Sequence, residues 1–155
     1  MDSLKDRVEK FQGKNILVIG DVMLDGWIRG NVKRISPENQ VPIVEFDGTI
    51  QYSVGGAANV AANISSLGGQ ACLFGFIGKD NEGKILSNLL DEQKVEHFFD
   101  TNSITSYKLR IEGQSTPIAR LDREDSHPKH FENYFKLVGT HNQKHLKRYE
   151  KIVVL

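Results

Sequence analysis

Four residues of this chain are suited to chemistry on hydroxyl groups: Asp25, Gly55, Gly56 and Asn59. Asp25 lies just past the end of the apolar run NILVIG, Asn15 to Gly20. In open α/β sheets ligands sit at that edge. A carboxylate there can accept hydrogen bonds from two neighbouring hydroxyls, each contributing roughly 1.5–3 kcal/mol because the acceptor is charged. Gly55 and Gly56 open the stretch VGGAANVAANISSLGG and carry no Cβ to block a ligand approaching the backbone. Asn59 stands one turn into the helix that follows, with an amide that both donates and accepts. The helix start adds backbone N–H groups without partners. On composition alone the glycine pair reads first as packing, and Asp25 has an alternative as a turn or cap residue.

Other chemistries find less support. No two of the 14 glycines are spaced G-x-G, so the dinucleotide fingerprint is absent. No lysine precedes Ser or Thr, which removes a Walker A loop, and G-x-S-x-G does not occur. His141 and His145 share a helical spacing that can hold a metal, but no third ligand accompanies them, and exposed helix polarity is the better reading. Lys129 to Lys151 holds six Lys/Arg against two Glu, which reads as a solvated face. Lys plus Arg and Asp plus Glu are 20 each, and a net charge of zero argues against a nucleic-acid binder. The one cysteine, Cys72, excludes an internal disulfide, fits a reducing compartment and reads as a buried strand thiol. The charged N-terminus MDSLKDRVEKF is no signal peptide, and no apolar run approaches the roughly 18 residues of a membrane span. The expectation is a soluble cytoplasmic protein without a membrane partner.

The elements that must position these residues alternate strand with helix. Leu4, Val8 and Phe11 predict a short amphipathic helix stopped by Gly13. NILVIG and QACLFGFIG are continuous apolar runs, the pattern of strands buried on both faces of a parallel sheet. A helix from Ala57 carries Val60, Ile64 and Leu67 on one stripe, and Gly68-Gly69 ends it. Asp80 caps a further helix with Ile85, Leu86, Leu89 and Leu90 on one face. VEHFF is a short strand, SYKLRIEG and TPIARLDRE form a hairpin around Gly113, and a basic helical region after Pro128 is interrupted at Gly139. KIVVL starts another buried strand. This is an α/β fold with a mainly parallel sheet. Residues of about 26–53 and 104–122 break the alternation with β-type runs, which predicts a small second sheet over the edge of the first.

Three stretches occur in order: GDVMLDGWIRGNVKRISPENQVPIVEF, VGGAANVAANISSLGG and IGKDNEGKILSNLLDEQ. They resemble the N-terminal half of ribokinase-like (PfkB) sugar kinases, and SYKLRIEGQSTPIARLDRE is similar to the lid hairpin found there. Within the family, RISPE-x-x-VP resembles the bacterial D-glycero-β-D-manno-heptose 7-phosphate kinases. The resemblance covers nearly the whole chain as the N-terminal part of one kinase domain. It implies a three-layer α/β/α fold with a β lid over a sugar, transfer of the γ-phosphoryl of ATP to a sugar hydroxyl with Mg2+ present, and a homodimer through the lid. Residue by residue it assigns Asp25 and Asn59 to sugar hydroxyls, Gly55 and Gly56 to the backbone face of the sugar, and Asp21 to support of the site. Arg34, Lys108 and Arg110 are its candidates for the phosphate of the sugar; the alternative for the last two is exposed strand charge.

One departure is large. The GAGD motif that carries the family's catalytic aspartate and anion hole does not occur in this sequence. No catalytic residue is therefore assigned, no secure ATP or Mg2+ site is expected, and residues 1–155 alone are expected to be inactive. Two readings compete with a heptose-phosphate kinase fragment: a non-catalytic sugar-phosphate-binding module, and a ribokinase-like kinase for another sugar or nucleoside.

Overall fold

The structure is a computed structural model, and it describes residues 3–125, 131–140 and 146–155. His141 and His145, the pair weighed as metal ligands, lie outside the described residues.

The elements run in the order α1 (Leu4–Glu9), β1 (Asn15–Ile19), β2 (Val22–Ile35), β3 (Pro42–Glu45), β4 (Ile50–Gly56), α2 (Ala57–Ser66), β5 (Gln70–Gly78), α3 (Asn81–Glu92), β6 (Glu96–Ser103), β7 (Ser106–Gly113), β8 (Thr116–Arg123), α4 (Phe131–Thr140) and β9 (Lys151–Val154). β6-β5-β1-β9 form a parallel sheet. β1 and β5 read as unbroken apolar runs because both faces are covered. Ile16, Val18, Ala71 and Leu73 point into one core with residues of α2 and α3. Leu17, Ile19, Cys72 and Phe74 point the other way, against Tyr134 and Val138 of α4. Leu17 and Leu73 are wholly buried. Each such side chain contributes roughly 1.5–3 kcal/mol relative to exposure. β9 is the outer strand, and it corrects the expectation of a buried one: its own Ile152 and Val154 are exposed, because only β1 pairs with it among the described residues.

The buried stripe of α2 differs from the sequence expectation. Ala57, Ala58 and Ala61 are fully buried together with Ile64, while Val60 is only partly buried and Leu67 is the C-cap. The alanines bring the helix close to the sheet: a Cβ on Gly20 would lie 3.2 Å from that of Ala57. In α3 the expected cap is present, with Asp80 accepting from the Gly83 N–H at 2.8 Å, and Leu86 and Leu90 are the fully buried pair. α4 passes through Gly139, where the sequence suggests an interruption, to Thr140, the last described residue of this stretch.

β3, β2, β7 and β8, with β4 also on β2, make a second sheet. β2 is the 14-residue strand at its centre. Its first half pairs antiparallel with β4 and parallel with β7, and its far half pairs with β3. Asp25 therefore lies inside a strand, which corrects the turn or cap alternative. Val22, Leu24 and Val54 anchor this sheet in the core shared with α2 and α3. The β7–β8 turn falls at Gln114 and Ser115, both with positive φ (52° and 66°), one residue beyond the expected Gly113.

A polar knot fixes where the second sheet leaves the first. The fully buried Thr105 donates its hydroxyl to Asp80 Oδ1 at 2.6 Å and accepts from the Gly78 N–H at 2.9 Å. Its own N–H donates to Asp80 Oδ2 at 3.0 Å. Arg123, the last residue of β8, bonds Glu82 at 2.7 Å and the Thr105 carbonyl at 3.3 Å. Burial opposes the charge of Asp80. The donors from Thr105 and Gly83, with Arg123, outweigh it and hold the carboxyl below its ordinary 3.8.

Candidate functional site

Side chains two apart on a strand share a face. On β2 this puts Met23, Asp25 and Trp27 together, opposite the buried Leu24. Register places Ser53 beside Asp25 and Gly55 beside Met23 on β4. It places Lys108 beside Asp25 and Arg110 beside Trp27 on β7. One face of the second sheet thus collects a carboxylate and an aromatic ring from β2 and two cations from β7, with Ser53 and Gly55 of β4 beside them.

The glycine pair has two separate geometric tasks. A Cβ on Gly55 would lie 2.5 Å from Asp25 Oδ2 and 2.8 Å from Met23 Cγ. Gly55 is therefore the floor on which the Asp25 carboxylate rests. Gly56 has φ 56° and ψ −134°, a conformation that L side chains rarely adopt, and a Cβ there would collide with the Asp21 carbonyl. That same carbonyl accepts the Ala57 N–H at 2.9 Å, so Asp21 ties the first strand crossover to the start of α2.

Asp25 is the best enclosed charge of the face. Its side chain is 17% exposed and accepts from Arg110 Nη1 at 2.6 Å. The Arg110 guanidinium also lies over the Trp27 ring, 5.0 Å from its centroid. Arg29 flanks the same ring at 5.9 Å and pairs with Glu112 at 2.9 Å. Lys108 pairs with Glu124 at 3.2 Å.

Next to this face lies a cleft of about 350 Å³ whose lining includes Asp21, Ser106, Lys108, Glu124, Asp125 and Tyr134. The Tyr134 hydroxyl donates to Asp21 Oδ1, and its ring meets Phe76 edge-on at 4.8 Å. Burial first, then the Asp21 carboxylate, pushes the Tyr134 phenol up and keeps it a neutral donor. Ser103 donates to Asp125 at 2.7 Å.

The structure brings together some of the residues that the sequence singles out and separates others. Asp25, Gly55 and Gly56 meet at β2 and β4, Arg110 meets Asp25, and Lys108 lines the same cleft as Asp21. Asn59 is exposed on the first turn of α2, accepts from Asn63 at 3.4 Å, and lines a different hollow of about 480 Å³ with Ser53. Neither hollow is lined by Asp25, whose carboxylate is instead engaged by the Arg110 guanidinium. Arg34 lies nine residues further along β2, beside β3. At about 3.3 Å per residue that is roughly 30 Å from Asp25, so these two do not share one site within a chain. Sequence reading misses Trp27, Tyr134 and the Asp80–Thr105–Arg123 knot. A single tryptophan two residues from Asp25 is the one signal that could have found the first.

A parallel sheet flanked by helices thus carries a lid-like second sheet bearing a carboxylate and cations. The sequence matches the pfkB family of carbohydrate kinases over residues 14–144, and the chain belongs to that family. It is 40% identical over 130 residues to the bifunctional protein HldE of Caulobacter vibrioides, covering 82% of this chain and 27% of that protein. It is 44% identical over 124 residues to the bifunctional protein HldE of Proteus mirabilis, covering 79% and 26%. The chain thus spans about a quarter of the length of these curated relatives. In fold it is similar to a Thermotoga maritima protein described as a possible 1-phosphofructokinase, with a TM-score of 0.65, 19% identity, and 90% of this chain covering 44% of that one. The expected ribokinase-like α/β fold is present at partial length. Among the described residues no helix is long and apolar enough to cross a membrane.

Proposed function

We propose that this chain is the sugar-binding part of an ATP-dependent kinase that phosphorylates D-glycero-β-D-manno-heptose 7-phosphate at O1. The setting would be the cytoplasmic synthesis of the ADP-heptose precursor of the lipopolysaccharide core. The observation that carries the reading is the Asp25 carboxylate, seated on Gly55 and facing Arg110 at 2.6 Å. It joins an acceptor for sugar hydroxyls to a planar cation suited to phosphate. Asp21 supports the site from the crossover, and Lys108 adds a second cation. Asn59 belongs to the proposal through its motif, at the start of α2.

ATP with Mg2+ is the donor proposed for the complete kinase. Among the described residues no three His, Cys, Asp or Glu side chains gather as a cation site. The residues of this chain act on the sugar side of the reaction. They bind the hydroxyls, orient them, and cover them with the second sheet. A second copy is proposed to pair with this one through the lid, where Ile35, Val41 and Phe46 are exposed at the tip. Arg34 stands among them and would serve across that contact.

Calorimetry of the 155-residue chain with heptose 7-phosphate tests the reading. Saturable binding is expected, weakened about tenfold or more by Asp25→Asn through loss of charge-assisted hydrogen bonds. A folded chain, verified by circular dichroism, that takes up no heptose 7-phosphate would overturn it.

A further inference from the structure

We propose that Arg110 exchanges partners when a phosphorylated sugar enters, and that Trp27 is the positioning residue that keeps its guanidinium on the face while it does so. The inference rests on the sugar-phosphate reading above and adds how the site selects a phosphorylated ligand over a plain sugar.

Without ligand, Asp25 and Arg110 satisfy each other at 2.6 Å. The other cations of the face have further anions: Arg29 has Glu112 at 2.9 Å and Lys108 has Glu124 at 3.2 Å. Among the described residues Asp25 is the one carboxylate on Arg110. A sugar hydroxyl that claims Asp25 therefore competes with Arg110 for the same oxygens. A plain sugar leaves the guanidinium with a lost partner, and a phosphorylated one supplies a replacement. The planar fork of arginine suits phosphate oxygens bidentately. Hydroxyl binding and phosphate binding are then coupled through one ion pair that both must open.

Such an exchange needs the guanidinium to stay in place while its anion changes. The Trp27 ring does this. It lies 5.0 Å beneath the guanidinium and its attraction does not depend on Asp25. Register puts the two residues side by side on β2 and β7, so the stacking is built into the strand pairing.

The test compares binding of heptose 7-phosphate and unphosphorylated heptose to the full chain by calorimetry. Trp27 is the only tryptophan, so its emission reports the face directly in the wild type. The expected result is a preference for the phosphorylated sugar of about tenfold or more, with a change in Trp27 emission. Trp27→Leu and Arg110→Lys should each reduce that preference to about threefold or less. Trp27→Phe, which keeps an aromatic face, should retain most of it. A merely structural role for Trp27 would weaken both sugars alike, and that outcome overturns the inference. So does an unchanged preference in Arg110→Lys, which decides the matter if Trp27→Leu fails to fold. A wild type that binds both sugars equally leaves the sugar site standing and removes this inference; one that binds neither removes both.

Discussion

The Asp25 carboxylate lies directly over the backbone of Gly55, so near that a methyl group on the glycine would sit 2.5 Å from Oδ2. The two are diagonal neighbours on β2 and β4, and one cannot change without moving the other. Gly55→Ala is therefore expected to displace the carboxylate, costing roughly 1–3 kcal/mol by overpacking. Binding of heptose 7-phosphate should weaken by about tenfold or more as the hydroxyl acceptor moves. Thermal melts and calorimetry measure the two effects, and unchanged affinity would show that Asp25 does not hold the sugar.

Asp80 gives a pH dependence with a definite sign. Its folded carboxyl titrates below the ordinary 3.8, so the contribution is complete above that value and fades as pH falls through it. Asp80→Asn should destabilise the protein at neutral pH by about 1–3 kcal/mol, because Thr105 and Gly83 lose a charged acceptor. The variant should also lose stability less steeply than the wild type as pH falls from about 4 to about 2. Urea melts across that range check both points, and parallel curves would refute the second.

Cys72 should be inert in the folded state. Burial, above all, pushes its thiol up to about 11, and the residue is 1% exposed. At pH 8 about one thiol in a thousand is ionised at that value. Ellman's reagent should label native protein far more slowly than urea-unfolded protein. Since the folded value is raised, this group's contribution is full below the ordinary 9.0 and is lost as pH rises through about 11. Fast stoichiometric labelling of native protein would contradict the packing of β5 against α4.

Taken alone, residues 1–155 should release ADP at a rate at least a thousandfold below an intact kinase of the family. The sequence contains no GAGD motif to supply a base and an anion hole. Loss of one such electrostatic donor typically costs about 10²–10³ in rate. A coupled assay run beside the intact kinase measures this. Turnover within about tenfold of that control would place the base in this chain, with Asp21 or Asp125 the first substitutions to make.

Local pattern determined a large part of this protein. The unbroken apolar runs of β1 and β5 announce two covered faces, and Asp80 announces the start of α3. The wording around Asp25, Gly55 and Asn59 carries the family. The buried stripe of α2 was not legible in that way, since alanine fills the core there only because β1 comes so close. The length of β2 was not legible either: β-type runs were expected from about residue 26, whereas one strand runs from Val22 to Ile35, and the polar residues on its Asp25 face hide a clean apolar alternation. What tertiary structure alone decided is who meets whom. Arg110 reaches Asp25 from 85 residues away, and Tyr134 reaches Asp21 from 113. Periodicity is a property of neighbours in the chain, whereas these pairs depend on strand register and on where α4 crosses the sheet. A shift of one residue in the β2–β7 register would turn Arg110 to the opposite face. The same sequence would then keep its elements and lose its site.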